Sequence, residues 1–401
     1  MTTQPKRVAV IGLDCALTHL IRKHIDDGHL PTFKKLFENG VVAENCLANY
    51  PTITPPGWAS IATGATFGTH GISGFNVPED PTDLAGRESA AFSSARIKAE
   101  LVWDALDKAG KRCLVLNYPG SWPSKMKNGI MVGGSGLAVG DARDRASGFD
   151  IGASLCSEQL VSTDFYPYGI KGAFRADESF KNMPDSEDEV LTMDFDLNFP
   201  NTRHKIKKTT WHIAVWDEKG DGYDHLVLSP TKDFNDAFCV LEPGRWSDVI
   251  YHTFEFENGV RQEAFFRAKL LELSDDAEEF RLVFSCMGAA TGWSHPPEFA
   301  QKVRTKTGTT GFSSGILSYS FGWYGHDTYA ELNEQYTEWL TDVARVMMNE
   351  GEWDLFYMHS HPPDWFYHAF MSDMDPESIL MKRSEKRPGI PISGFMRPRT
   401  R

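Results

Sequence analysis

The chain has 401 residues, 41% of them apolar, and a formal net charge of −14. At roughly 150 residues per domain, this length suggests two or three globular domains. The acidic balance argues against a nucleic-acid coat or a binder of anionic membranes, because both usually carry a basic surplus. An anionic small substrate stays open, since bound metal ions can reverse the local charge.

The six cysteines are widely spaced and form no Cys-x-x-Cys pair, which disfavours a thiolate zinc site or a dense disulfide framework. The chain starts without a signal-peptide core and contains no run of about 18 apolar residues. We therefore expect a cytoplasmic protein with no transmembrane helix.

The first third of the chain alternates between strand and helix patterns. Residues 7–13 (RVAVIGL) predict a buried strand, because the run is short, apolar and rich in β-branched residues. The next predicted elements are a helix at 30–40, a strand at 40–48, a helix at 96–110 and a strand at 112–117. This alternation is typical of an α/β fold, a mostly parallel sheet flanked by helices.

The pattern becomes β-rich after residue 149 and returns to α/β near residue 321. Strands are predicted at 209–216, 224–229 and 280–285, with a hairpin turn at Asn258-Gly259. A long helix at 325–350 and a buried strand at 353–360 follow. The predicted domains are a core segment at 1–149, a β-rich cap insertion at 150–320, a second core segment at 321–381 and a tail at 382–401. The tail carries seven Lys or Arg residues and one acid, so we expect it to be disordered.

Two residues of the N-terminal core segment can carry chemistry. Asp14 ends the first strand, where ligands bind in open α/β sheets, and it is either a metal ligand or a helix cap. Thr54 precedes two prolines in the sequence PTITPPGW, which predicts a helix start with Thr54 as its N-cap. Thr54 is then either a simple cap or a nucleophile, and a threonine nucleophile needs a metal or base beside it.

Asp364 and His368 can supply that metal site, because four residues apart on a helix they lie on one face. Carboxylate oxygen and imidazole nitrogen suit zinc or a similar ion. The same spacing also occurs on solvated helix faces. His359 and His361 stand beside prolines and fit a polar loop equally well.

Taken together, Asp14, the segment YPTITPPGWASIATGATFGTHGISGF and the segment DLFYMHSHPPDWFYH resemble the alkaline phosphatase superfamily. The resemblance is to its type I phosphodiesterase/nucleotide pyrophosphatase branch, including predicted phosphohydrolases and phosphomutases. It implies that Asp14, Thr54, Asp364 and His368 bind two divalent metals, zinc or manganese, and that Thr54 is the nucleophile. It also implies a phosphate-ester or nucleotide-like small molecule as substrate, and a structural role for His70.

The sequence departs from the family pattern at its end, because the later Asp-His pair and the final His of the family do not occur. We therefore expect a C-terminally truncated chain with impaired hydrolysis, and a tail that is the product of a frameshift. A non-catalytic chain and a phosphomutase are the alternatives. A dinucleotide-binding protein is disfavoured, since no Gly-x-Gly-x-x-Gly follows the first strand. A formylglycine sulfatase is also disfavoured, because Thr54 is neither Cys nor Ser.

Overall fold

The computed structural model describes residues 7–44, 46–79, 88–133, 154–156, 158–199, 206–307, 315–375 and 378. The predicted tail at 382–401 lies outside the described residues. The chain divides into two compact units. The first unit comprises Met1–Gly12 and Ala43–Ser360, and the second comprises Leu13–Val42 and His361–Arg401.

Helices and strands occur in the order that an α/β protein with a β-rich insertion requires. The helices are α1 (Thr18–Asp26), α2 (Pro31–Asn39), α3 (Thr54–Thr63), α4 (Phe67–His70), α5 (Val102–Lys108), α6 (Phe299–Thr307), α7 (Ile316–Ser320), α8 (His326–Met348) and α9 (Asp364–Met374). The strands are β1 (Val8–Leu13), β2 (Asn76–Pro78), β3 (Glu88–Ala90), β4 (Cys113–Leu116), β5 (Gly129–Val132), β6 (Ser154–Cys156), β7 (Gln159–Ser162), β8 (Ile170–Lys171), β9 (Arg175–Ala176), β10 (Leu191–Asp196), β11 (Thr210–Trp216), β12 (His225–Ser229), β13 (Cys239–Leu241), β14 (Ile250–Glu255), β15 (Arg261–Phe266), β16 (Ala268–Leu273), β17 (Phe280–Phe284), β18 (Met287–Ala289), β19 (Ser294–His295) and β20 (Leu355–Ser360). Among the described residues, no helix combines the length and the apolar character needed to cross a bilayer.

A five-stranded sheet in the order β1-β20-β4-β5-β19 forms the α/β core of the first unit. Strands β20, β4 and β5 are parallel, and β19 runs antiparallel to β5 at the edge. Helices α5 and α8 pack on these strands, so β4 is buried along its whole length. The predicted α/β class with a mostly parallel sheet is confirmed.

Strand β1 differs from its prediction as a strand buried on both faces. It occupies an edge of the described sheet, with β20 as its neighbour. Val8 and Ile11 are 52% and 61% exposed, whereas Val10 packs into the apolar core. The sequence pattern identified the strand correctly, but the number of its neighbours depends on elements distant in the chain.

The strand predicted at 40–48 is wrong for the described part of that segment, which is irregular. Val41 and Leu47 are almost fully exposed there, so their apolar side chains pack against nothing that would hold a strand. Strand β20, which lies more than 300 residues further along the chain, takes the position beside β1 instead.

The β-rich region forms three further sheets around its own apolar core. Their orders are β13-β12-β11-β10-β9, β14-β15-β18-β6 and β16-β17-β7-β8. Trp211 lies in this core, and its ring stacks on Phe266 with 5.3 Å between ring centroids. The predicted hairpin is present: β14 and β15 pair up to Glu255 and Arg261, and Gly259 adopts a positive φ of 83° in the turn. Strand β19 lies within the predicted insertion range but pairs with the core sheet.

The second unit contains helices α1, α2 and α9. Helices α1 and α2 contact each other and have no buried side chains. Helix α9 begins at Asp364 and buries Trp365 and Phe370. The apolar faces that the sequence shows on α1 and α2 are therefore only partly covered.

Candidate functional site

Thr54 is the first helical residue of α3, one position later than the N-cap that the sequence predicts. Ile53 has the extended backbone of the N-cap, and its carbonyl accepts the N–H of Gly57. Pro55 and Pro56 follow Thr54, so the first turn has two fewer backbone donors than an ordinary helix start. The Thr54 hydroxyl is thus a principal polar group at this helix start, together with the positive end of the helix dipole.

Contacts within the first unit fix α3 in position through Trp58. The Tyr118 hydroxyl donates to the Trp58 carbonyl at 2.9 Å, and the indole of Trp58 meets the ring of His359 edge to face at 4.6 Å between centroids. Gly12 lies against the same indole, where a methyl group would come within 2.6 Å of it. The helix that begins at Thr54 is therefore seated against the ends of β1, β4 and β20.

His70 has a structural environment. It is fully buried, its Nε2 lies 3.0 Å from the Ser60 hydroxyl, and its Nδ1 accepts the N–H of Ile72 at 3.1 Å. Burial lowers the pKa of His70. The neutral ring ties α3 to the segment after α4, in line with the structural role expected for it.

The second unit brings Asp14, Asp364 and His368 together around a fourth residue, His361. The His361 ring lies between two carboxylates, with Nδ1 3.1 Å from Asp14 Oδ2 and Nε2 3.0 Å from Asp364 Oδ2. His368 Nε2 is 3.2 Å from the same Asp364 oxygen. We call these four residues the Asp14 cluster.

The Asp14 cluster is a region of concentrated negative charge. Burial lowers the pKa of His361, but hydrogen bonds and charge interactions with Asp14 and Asp364 outweigh it, so the pKa is raised. The pKa of the neighbouring Cys15 thiol is also raised, first by burial and then by the same two carboxylates. A field that favours protons on its neighbours also favours a bound cation.

The turn after β1 helps to aim Asp14. Cys15 has a positive φ of 56°, a left-handed conformation that non-glycine residues rarely adopt. The chain therefore changes direction immediately after Asp14, while Asp14 itself stays only 14% exposed. Strained backbone of this kind is concentrated at functional sites.

His361 is the site residue that sequence reasoning missed as a principal member. The signal for it was present, because His361 follows β20 and stands three residues before Asp364, a helical-turn spacing. The spacing of Asp364 and His368 was sufficient to place both on α9. Thr54 belongs to the first unit, and its proximity to Asp14 stays a prediction.

The donor set of the Asp14 cluster fits a divalent metal. Two carboxylates and two imidazoles supply the oxygen and nitrogen ligands that zinc and manganese bind. The contacts of 3.0 to 3.2 Å between donor atoms are close to the separation of about 3.3 Å between ligands around a tetrahedral ion at about 2.0–2.1 Å. Because the two His361 nitrogens face opposite carboxylates, one ion can take only one of them.

The sheet, the Thr54 helix and the Asp14 cluster define an α/β protein with residues suited to metal binding. A family model for type I phosphodiesterase / nucleotide pyrophosphatase matches residues 8–238. The chain belongs to this family, a branch of the alkaline phosphatase superfamily whose members are typically metal-dependent hydrolases of phosphodiester or nucleotide substrates. The match includes Asp14 and Thr54 and ends before Asp364. No curated protein and no solved structure matches the chain.

Proposed function

We propose that this chain hydrolyses a phosphodiester or phosphoanhydride bond with Thr54 as nucleophile and the Asp14 cluster as its metal ligands. The observation that carries the proposal is the convergence of Asp14, His361, Asp364 and His368 in the second unit. His361 adds a nitrogen donor to a ligand set that the sequence alone leaves incomplete. The family match supports the reaction class.

In the proposed reaction, the Thr54 oxygen forms a bond to phosphorus while the bond to the leaving alcohol or phosphate breaks. The hydroxyl proton leaves Thr54, and the leaving group takes up a proton. Water then replaces the Thr54 oxygen at phosphorus and restores the hydroxyl. Metal ions bound by Asp14, Asp364 and His368, two in the family pattern, would neutralise phosphate charge and lower the pKa of the nucleophile.

Backbone and side chains of α3 have the positioning role. The prolines after Thr54 fix the start of the helix, and Trp58 holds the helix against the strand ends. Because the first turn has few backbone donors, phosphate charge at Thr54 has to be balanced mainly by groups outside α3.

The test is hydrolysis of bis-p-nitrophenyl phosphate with added zinc or manganese. We expect Thr54→Ala to lower the rate by at least about 1000-fold, because the nucleophile is lost. Thr52→Ala is the matched control, since Thr52 is exposed two residues earlier in the same segment. A parallel assay with p-nitrophenyl phosphate separates diesterase from monoesterase activity. Absence of hydrolysis with either metal, or equal rates for Thr54→Ala and wild type, would overturn the proposal.

A further inference from the structure

A second group of metal-ligand side chains lies in the β-rich region of the first unit, outside the Thr54 helix and the Asp14 cluster. Its centre is His225, the first residue of β12, which is 9% exposed. The ring stacks on Trp216 with 5.0 Å between centroids and an angle of 23°. Glu218, Asp224 and His225 have ligand atoms within 4.8 Å of one another.

The hydrogen bond at one ring nitrogen determines what the other can do. His225 Nδ1 lies 2.6 Å from Asp224 Oδ1, and this carboxylate oxygen can only accept. The Nδ1 proton therefore stays on the ring, and in the neutral imidazole the lone pair is at Nε2. A carboxylate behind a histidine is the usual orienting partner of a metal-bound imidazole.

His225 Nε2 faces two further carboxylates. Glu218 Oε2 is 3.4 Å away and Glu242 Oε1 is 3.8 Å away. The first distance is close to the roughly 3.3 Å between neighbouring ligands of a tetrahedral ion held at about 2.0–2.1 Å. Without a cation or a second ring proton, the Nε2 lone pair would face negative oxygens, which is unfavourable.

Lys219 compensates the orienting carboxylate. Its Nζ lies 3.0 Å from Asp224 Oδ2, on the oxygen that His225 does not use. Hydrogen bonds and charge attraction from Asp224 raise the pKa of Lys219, and the charges of Glu242 and Glu218 contribute less. The ammonium group is thus engaged chiefly at Asp224, so a bound cation can serve the other two carboxylates.

The loop between β11 and β12 is organised around a buried carboxylate. Asp217 is 1% exposed and accepts backbone N–H groups from Lys219, Gly220 and Gly222. The N–H of Glu218 donates to Asp224 Oδ1 at 3.1 Å. The backbone that carries Glu218 is therefore fixed before any ligand binds, which reduces the entropic cost of binding.

We propose that His225 Nε2, Glu218 and Glu242 bind a divalent transition metal, with zinc as the best fit. One imidazole and two carboxylates leave a fourth tetrahedral position for water. Asp224 is a positioning residue, which holds the imidazole through Nδ1. The site is independent of the proposed hydrolase centre.

The test is the number of zinc ions bound per chain at equilibrium, measured by dialysis and elemental analysis. Glu218→Gln combined with Glu242→Gln should reduce the count by one relative to wild type. Both side chains are more than half exposed, so the double variant should fold. Glu257→Gln is the control for lost surface charge, because Glu257 is exposed in the turn of another hairpin.

A second variant tests the positioning role. Asp224→Asn should weaken zinc binding at this site by roughly 10- to 100-fold while a saturating concentration restores the full count. Hydrolase activity should be unchanged in both variants, whereas Thr54→Ala should bind zinc at this site normally. Equal zinc counts for wild type and the double variant would overturn the proposal and identify His225 as a protonated partner of its carboxylates.

Discussion

The β-rich region of the first unit and the helices of the second unit bury their apolar residues to very different extents. Trp211 is 1% exposed within a core built from three sheets. In contrast, α1 and α2 bury no side chains, and Leu36 of α2 is 60% exposed. The residues suited to catalysis nevertheless gather in the second unit, around His361.

This difference indicates that the two regions are held by different forces. Removal of apolar surface from water stabilises the sheets, at about 25 cal/mol per Å². The Asp14 cluster relies on contacts between charged or ionisable groups, and two buried carboxylates stabilise a fold poorly without a compensating cation. A metal ion would therefore stabilise the second unit, whereas the first unit has a large apolar core of its own.

The largest expected effect comes from Trp211→Ala. Loss of this buried indole should lower the free energy of unfolding by about 3–5 kcal/mol, because a cavity remains in the core. Leu36→Ala should change it by no more than about 0.5 kcal/mol, since the side chain is mostly in water. Urea unfolding followed by tryptophan fluorescence and circular dichroism measures both. Similar losses for the two variants would refute the contrast in packing.

A smaller effect is expected from Gly12→Ala, which tests the seat of the Thr54 helix. The added methyl group would meet the Trp58 indole at 2.6 Å and the Met358 carbonyl oxygen at 3.3 Å. Overpacking of this kind costs about 1–3 kcal/mol. Gly57→Ala is the matched control, because nothing lies within 4 Å of a methyl group there and alanine favours a helix by roughly 0.5–1 kcal/mol. Destabilisation by both variants would show that the contact with Trp58 is not the cause.

The smallest effect is a pH dependence of stability from His70. Burial lowers the pKa of the folded-state imidazole, and protonation of Nδ1 would break the bond from the Ile72 N–H. The unfolded chain therefore binds a proton that the folded chain does not as the pH falls below about 6.5. Stability from this group is present above that pH and decreases below it.

Urea unfolding at several pH values between 7.5 and 5 measures this dependence. The loss cannot exceed about 1.4 kcal/mol per pH unit for one proton. His70→Gln should flatten the profile, because the titrating group is gone. An unchanged slope in that variant would assign the pH dependence to other residues.

Local patterns were sufficient for several parts of the fold. The period of apolar residues located β1, β4, β20 and the long helix α8, and Asn258-Gly259 located the β14–β15 hairpin. The spacing of Asp364 and His368 placed both on one face of α9. These features depend on residues a few positions apart, whose geometry the backbone fixes.

Features that depend on distant neighbours could not be predicted in the same way. The exposure of Val8 and Ile11 depends on what lies on either side of β1, and the 40–48 segment has strand-like residues but no strand. The short period of a strand shows which residues alternate, but not which neighbour will pair with it.

For the candidate site, the sequence by itself determined the residue types: a strand-end Asp14, a proline-fixed Thr54, and the Asp364 and His368 pair. Only the tertiary structure decided that His361 lies between Asp14 and Asp364. The physical reason is that the contact joins residues almost 350 positions apart in the chain. Such a contact is fixed by the packing of β1, β20 and α9, which carries no signal in the spacing of the residues themselves.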